Sequence, residues 1–185
     1  MGIPFWGRWL GRSEQPALNF PAETPATGLG DAESQFSLGR KFAGGEGVVV
    51  DYESAVGWYL KAATQGHCVA QFNLGLMYGQ GQGVLRDDVA ALMWLRKAAE
   101  LGHAGAQYHV GMRQHRASKS GSEPEASECR VEAFKWLQLA MAQGHRGSES
   151  AGEFVALNMT HAEVAEGGKR VGAFTVAVAK PGGDH

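Results

Sequence analysis

The stretch GHCVAQFNLGLMYGQGQGVLRDDVAALMWLRKAAELGHAGAQ, residues 66–107, begins and ends on one phrase. Gly66, His67, Ala70 and Gln71 return as Gly102, His103, Ala106 and Gln107, a shift of 36 residues. Self-similarity at a fixed period of roughly 20 to 50 residues marks an array of stacked structural units. Reading backwards, residues 30–65 laid on 66–101 agree in 14 of 36 columns, among them Gly39/Gly75, Asp51/Asp87, Ala55/Ala91, Trp58/Trp94 and Ala62/Ala98. Reading forwards, a third copy starts at Gly102 and keeps Gln107 and Gly111, with Tyr108 in the column of Phe72. Its second half is displaced by six further residues, so that Ala133, Trp136, Ala140 and Gly144 answer Ala91, Trp94, Ala98 and Gly102. The extra residues are expected to form a loop in SKSGSEPEASE, 118–128.

Each copy reads as helix A, loop, helix B. In the second, Ala70, Leu74, Met77 and Tyr78 recur at three- and four-residue steps and make one apolar face. Gly75 stands in mid-helix, where glycine costs about 1 kcal/mol relative to alanine; with Gly39 and Gly111 in the same column, a close neighbour must compensate. Asp51 and Asp87 are suited to cap helix B, because a carboxylate accepts from free backbone N–H groups at a helix start. Ala91, Trp94, Leu95 and Ala98 form the inner stripe of helix B, and Gly102 follows as a glycine able to take the left-handed conformation. Neither helix pair can bury its stripe alone, so consecutive pairs must stack, with the Trp rings against small Ala and Gly positions.

The pattern A-x-x-x-L-G-x-x-Y, G-x-G-V, D, A-x-x-W-x-x-x-A-A and G, carried by Ala70, Leu74, Gly75, Tyr78, Gly81, Gly83, Val84, Asp87, Ala91, Trp94, Ala98, Ala99 and Gly102, closely resembles the Sel1-like repeat, a relative of the tetratricopeptide repeat. The resemblance covers residues 30–145, with departures at Ser34 and Phe42 in the first copy and at Gln114 and Cys129 in the third. It implies an all-α, right-handed α-solenoid of about three helix-turn-helix repeats, acting as an adaptor in protein complexes, often in bacteria. The expected organisation is a tail and linker over 1–29, repeats over 30–65, 66–101 and 102–144, a degenerate helix and C-terminal cap over 145–179, and a tail over 180–185. In the degenerate helix Phe154, Val155 and Leu157 are the expected apolar contacts. In the cap, begun by Thr160, Ala162, Val164, Ala165 and Val171 are expected to cover the end of the stack, with a kink or fraying at Gly167-Gly168.

Composition narrows the function classes. The 185 residues carry a net charge of −2, without the basic patch or stripe that nucleic acid binding requires. Only two cysteines, Cys68 and Cys129, are present, so no disulfide framework is implied, and a reducing, cytoplasmic setting fits. The first residues, MGIPFWGRWLGR, lack the apolar run of a secretory signal. Phe5, Trp6, Trp9, Arg8 and Arg12 suit a short interfacial membrane anchor, but the glycines and Pro4 favour a tail whose rings fold back on the domain.

Catalytic and metal readings are weaker than structural ones. His67, His103 and His145 occupy one column of successive repeats, which places them roughly 8 to 10 Å apart, the spacing of packed helices, while one zinc needs every ligand within about 2.3 Å. His103, His109 and His115 are six residues apart and turn about 120° from one another on a helix, so they share no face. Lys119-Ser120-Gly121 resembles the K-[ST]-G triad of penicillin-recognising enzymes, and cysteine-rich members of the repeat family have been linked to β-lactam binding. The partner S-x-x-K motif is missing, so the nucleophile and its base are not supplied. Glu123, Glu125 and Glu128 read as a solvated charge cluster. No enzyme, metal or cofactor is expected.

The expected function is therefore protein or peptide binding. If Ala70, Leu74 and Tyr78 face the stack, Phe72, Asn73 and Leu76 point the other way, toward the groove of the solenoid. The matching positions are Phe36 and Arg40 in the first copy, and Tyr108, His109 and Met112 in the third. These eight residues are the candidate groove. The three rings have a second reading, as packing between repeats.

Overall fold

Asp31 sets the start of the array: its Oδ1 accepts from the Ser34 backbone N–H at 2.8 Å, so the chain turns into helix at Ala32. In a computed structural model that describes residues 30–179, with side chains through Thr175, every regular element is an α-helix. They are α1 (Ala32–Gly44), α2 (Tyr52–Thr64), α3 (Cys68–Gln80), α4 (Asp88–Glu100), α5 (Ala104–Ala117), α6 (Glu123–Ala142), α7 (Ser148–Ala156) and α8 (His161–Ala179). From α1 to α6 each helix packs on the next, and α7 and α8 both pack on α6. That pairing is an all-α, solenoid-like stack of three helix pairs closed by two further helices. The expectations for residues 1–29 and 180–185 lie outside the described residues.

The caps follow the sequence. Asp51 accepts from the Ser54 N–H at 3.1 Å, and Asp87 from Val89 and Ala90 at 2.8 and 3.0 Å. Two residues beyond the B helices stand Gly66, Gly102 and Gly144, with φ of 87°, 90° and 73°, a region that disfavours residues with a Cβ. The chain then re-enters the next A helix.

The mid-helix glycines are explained by their neighbours. A Cβ on Gly75 would lie 2.8 Å from Leu95 Cγ and 3.2 Å from the Ala91 carbonyl; on Gly39 it would meet the Tyr59 ring at 2.6 Å, and on Gly111 Leu137 Cγ at 2.9 Å. Each A helix therefore presses onto its own B helix, and the contact offsets the helical cost of glycine. Trp94 is 2% exposed and Trp136 is 5% exposed, so both rings are core, whereas Trp58 in the first pair is only half-buried. Lys61 and Lys97 lie over the Trp58 and Trp94 rings, at 4.1 and 4.4 Å from the centroids.

Four expectations change near the C-terminus. Residues 118–128 do not form one loop: the turn ends at Ser122, and Glu123 already begins α6, which runs for 20 residues against 13 in α2 and α4. Ser122 and Glu125 make a reciprocal capping box with Pro124 in the first turn, so the inserted residues lengthen the helix. In α7, Val155 is buried as expected, but Phe154 and Leu157 are exposed. In α8, Val164 and Val171 face the stack as expected, but Ala162 and Ala165 are exposed, and Gly167 and Phe174 complete the contact. Gly167 does not break α8: a Cβ there would lie 2.7 Å from the Phe134 ring, so glycine lets the two helices close up.

Candidate functional site

The candidate face of the A helices is built on a repeated joint. Phe36 stacks on His67 with centroids 4.5 Å apart, Phe72 on His103 at 4.2 Å, and Tyr108 on His145 at 4.7 Å, with interplanar angles of 23°, 23° and 28°. Each ring thus lies on the histidine that opens the next repeat. These histidines are not ligands in waiting. His67 and His103 cap α3 and α5, their Nδ1 accepting from the Ala70 and Ala106 N–H groups at 3.1 and 3.2 Å, and His145 Nδ1 lies 2.9 Å from Ser148 Oγ. An accepting Nδ1 puts the proton of the neutral ring on Nε2, which in His67 faces Glu33 Oε2 at 3.0 Å. Burial holds the His103 pKa below the ordinary histidine value, and the charge of His145 adds to that.

The eight candidate residues separate by their surroundings. Phe36, Phe72 and Tyr108 lie in the joints, half-buried. Leu76 packs toward the cluster of Leu95, Val110 and Trp136, and Met112 toward that of Phe134, Leu137 and Val155. Arg40 and His109 are exposed, and Asn73 is half-buried. Arg40 Nη2 lies 3.6 Å from Glu46 Oε1. Burial raises the Tyr59 pKa, with a hydrogen bond from Asn73 and the positive charge of Arg40 opposing it, so these three side chains share one neighbourhood. His109 bridges two joints, its ring 5.9 Å from Phe72 and 5.8 Å from Tyr108. Partial loss of water lowers its pKa, and His145 contributes in the same direction.

Two features were not anticipated from the sequence. One is a glutamine relay between joints: Gln65 Nε2 donates to Gln35 Oε1, and Gln143 Nε2 to Gln107 Oε1, each at 2.8 Å. The middle joint breaks the pattern, because Leu101 occupies the column of Gln65 and Gln143, and Gln71 Oε1 is left buried without a hydrogen-bond partner. The other is an ionic clamp on α8. Arg170 Nη1 lies 2.6 Å from Glu128 and 2.9 Å from Glu132, while Glu163 accepts from Arg130 at 2.8 Å and from Ser127 at 2.6 Å. Burial pushes the Glu163 pKa up, but hydrogen bonds from Ser127, Thr160 and Arg130 outweigh it and hold the carboxyl at about 2. Beside the clamp is an open cleft of about 330 Å³ lined by Arg96, Glu100, Lys135 and Trp136. Of the acidic cluster expected to be solvated, Glu123 and Glu125 are exposed, the first pairing with Arg130 and the second completing the cap, while Glu128 is drawn in to hold Arg170. Only the distance from 128 to 170 hid it.

Neither thiol is activated. Burial raises both the Cys68 and Cys129 pKa values, which disfavours the thiolate a nucleophile needs. Lys119, Ser120 and Gly121 lie exposed in the turn that ends α5, where Ser120 Oγ donates to the Ala117 carbonyl at 3.2 Å.

Comparison with known proteins agrees with this geometry. The family model described as the Sel1 repeat matches residues 32–67, 68–103 and 104–145. One similar solved structure is c5321, a protective antigen present in uropathogenic Escherichia coli strains and displaying an SLR fold: 26% identical, TM-score 0.66, covering 84% of this chain. This chain spans only 34% of that protein. Another is a Sel1 repeat protein from Oxalobacter formigenes, 31% identical with a TM-score of 0.58, covering 67% of this chain and 89% of its own. No curated protein matches the chain. Three consecutive family matches over more than half of the chain establish that the chain belongs to the Sel1 repeat family.

Proposed function

We propose that this chain is a binding scaffold that holds a protein or peptide along the outward side of α1, α3 and α5. Sel1 repeat proteins generally mediate protein–protein interaction and are typically non-enzymatic scaffolds. The observation that carries the finer reading is what packing leaves over. The rings Phe36, Phe72 and Tyr108 are half-buried in the joints, and beside them Arg40, Asn73 and His109 offer a cation, an amide and an imidazole on successive A helices. Leu76 and Met112, with their inner atoms against the core, add apolar edges. Such a row of half-exposed rings with polar groups between them suits an amphipathic helix or extended peptide, whose side chains anchor between rings while its backbone meets the polar groups. Two free thiols fit a reducing compartment such as the cytoplasm. Among the described residues no helix is long and apolar enough to cross a membrane.

The test is affinity purification from the native host with the wild-type chain and an Arg40→Glu/Asn73→Asp/His109→Glu variant, quantified by mass spectrometry. Loss of the specific partners, with the far-UV spectrum and melting temperature retained, supports the reading. Partners bound equally by both chains overturn it.

A further inference from the structure

The exposed large apolar side chains are not scattered. Val48, Val49, Val50 and Tyr52 follow α1, and Leu85 and Val89 follow α3, at the corresponding place in the next repeat. Val49 and Leu85, one repeat apart, are 88% and 92% exposed. The two loops form one surface: Gly83, with φ of 69°, sits so close to the start of α2 that a Cβ would overlap the Tyr52 carbonyl. Contiguous apolar surface of this kind marks a docking site. Its rim is acidic. Glu46, Asp51, Glu53 and Asp88 are exposed within the same two loops and helix starts; Arg86 pairs with Asp88 at 3.1 Å with the charge of Arg113 also acting on it, Arg40 lies 3.6 Å from Glu46, and Asp51 caps α2 through Ser54, so four carboxylates face three cations.

The complement of an apolar surface with an acidic rim is an aromatic, basic segment, and this chain carries one. Pro4 to Arg12, PFWGRWLGR, holds Phe5, Trp6, Trp9 and Leu10 together with Arg8 and Arg12, and no carboxylate. We propose that this segment docks on the loop edge formed by Val49, Val50, Tyr52, Leu85 and Val89. The reach is sufficient. The described chain begins at Gly30, at the opposite end of α1 from the loop, and a helix of 13 residues is ~20 Å long. The 17 residues of 13–29 can span at most about 56–61 Å. The aromatic side chains cover Leu85 and Val49 while Arg8 and Arg12 meet the rim carboxylates. This surface lies on the edge between helices A and B, apart from the outward side of the A helices proposed to hold a partner, and the two readings stand or fall separately.

A photo-cross-linker tests the assignment in the full chain. Leu85→p-benzoylphenylalanine is irradiated in dilute solution and the linked peptides are mapped by mass spectrometry, with Val49→p-benzoylphenylalanine as a second reporter should the first variant fold poorly. The expected product has the mass of one chain and joins position 85 or 49 to residues 4–12. It is lost in Trp6→Ala/Trp9→Ala and falls in ~1 M salt, where screening acts over about 3 Å. A product of twice the mass shows that a second copy covers the edge and overturns the proposal. So does the absence of any link to residues 4–12.

Discussion

The joints between repeats and the attachment of α8 solve one problem by opposite means. A joint is made of stacked rings, small residues and neutral hydrogen bonds: Phe72 on His103, the His103 cap on α5, and Gln107 Nε2 donating to the Ala99 carbonyl at 3.2 Å. The α8 helix, besides its apolar contacts through Val164, Val171 and Phe174, is held by carboxylates and guanidiniums, with Glu163 and Arg130 at its start and Arg170 against Glu128 and Glu132 farther along. The difference follows from position. A joint faces another copy of itself on both sides, so its groups must be self-complementary and can be repeated. The last repeat must stop repeating, and charge pairs that match only α6 specify one docking partner and register; we take that specificity as their role. The ring joints stack any unit on any unit, whereas the clamp ends the stack.

This contrast can be broken from either side. The largest effect is expected from Trp94→Ala, which removes a 2% exposed ring from the middle of the array and should cost ~3–5 kcal/mol. It should lower the melting temperature more than Trp136→Ala does, because the middle unit supports neighbours on both sides; the reverse order in thermal melts would count against stacking as the source of stability. Next, Glu163→Gln leaves Arg130 with only the exposed Glu123 as a charged partner and should cost about 1.5–3 kcal/mol, the range for hydrogen bonds to charged groups. Hydrogen exchange should localise this loss to α8, leaving α1 to α5 protected. Uniform loss across all helices would show that the clamp is part of the repeat core.

Acid titration separates the two regions without mutation. Glu163 has its pKa depressed from 4.5 to about 2, so its contribution is present above 4.5 and is lost as pH falls through about 2. His103 is depressed below 6.5, so the neutral cap contributes fully above 6.5 and weakens as pH falls below that value. Amide exchange at the start of α5 should therefore rise as pH drops below 6.5, after correction for intrinsic rates, while α8 stays protected into far more acidic solution. Simultaneous loss would contradict the assignment. The smallest effect tests the broken relay. Leu101→Gln restores the column of Gln65 and Gln143, gives buried Gln71 Oε1 a donor and replaces a leucine that is 54% exposed. It should stabilise the middle joint by about 0.5–1.5 kcal/mol, read as a raised melting temperature.

Much of this was legible in the chain because repetition amplifies local signals. The caps at Asp51 and Asp87, the terminal glycines and the tight glycines of the A helices each act within one unit, and a pattern that recurs along the chain is hard to mistake. The candidate groove was legible in part. A helical wheel places Phe36, Phe72 and Tyr108 away from their own helix B, but it contains no information about the next repeat, whose His67, His103 and His145 stack on those rings. Leu76 and Met112 were treated alike with Arg40 and His109 for the same reason.

What the sequence determined by itself was the unit: two capped helices, the glycines that let them touch, and the number of copies. What only the tertiary structure decided was how units meet and how they end. The inserted residues lengthened α6 because Ser122, Pro124 and Glu125 make a strong helix start, and that longer helix provides the surface on which α8 is clamped. Gly167 served close packing on Phe134, so one glycine of a pair that weakens an isolated helix became a contact point. The physical reason is range. Caps, turns and periodicity are set by neighbours within a few residues, whereas the pairing of Glu128 with Arg170, or of Gln107 with Gln143, depends on side chains brought together only when the stack has formed.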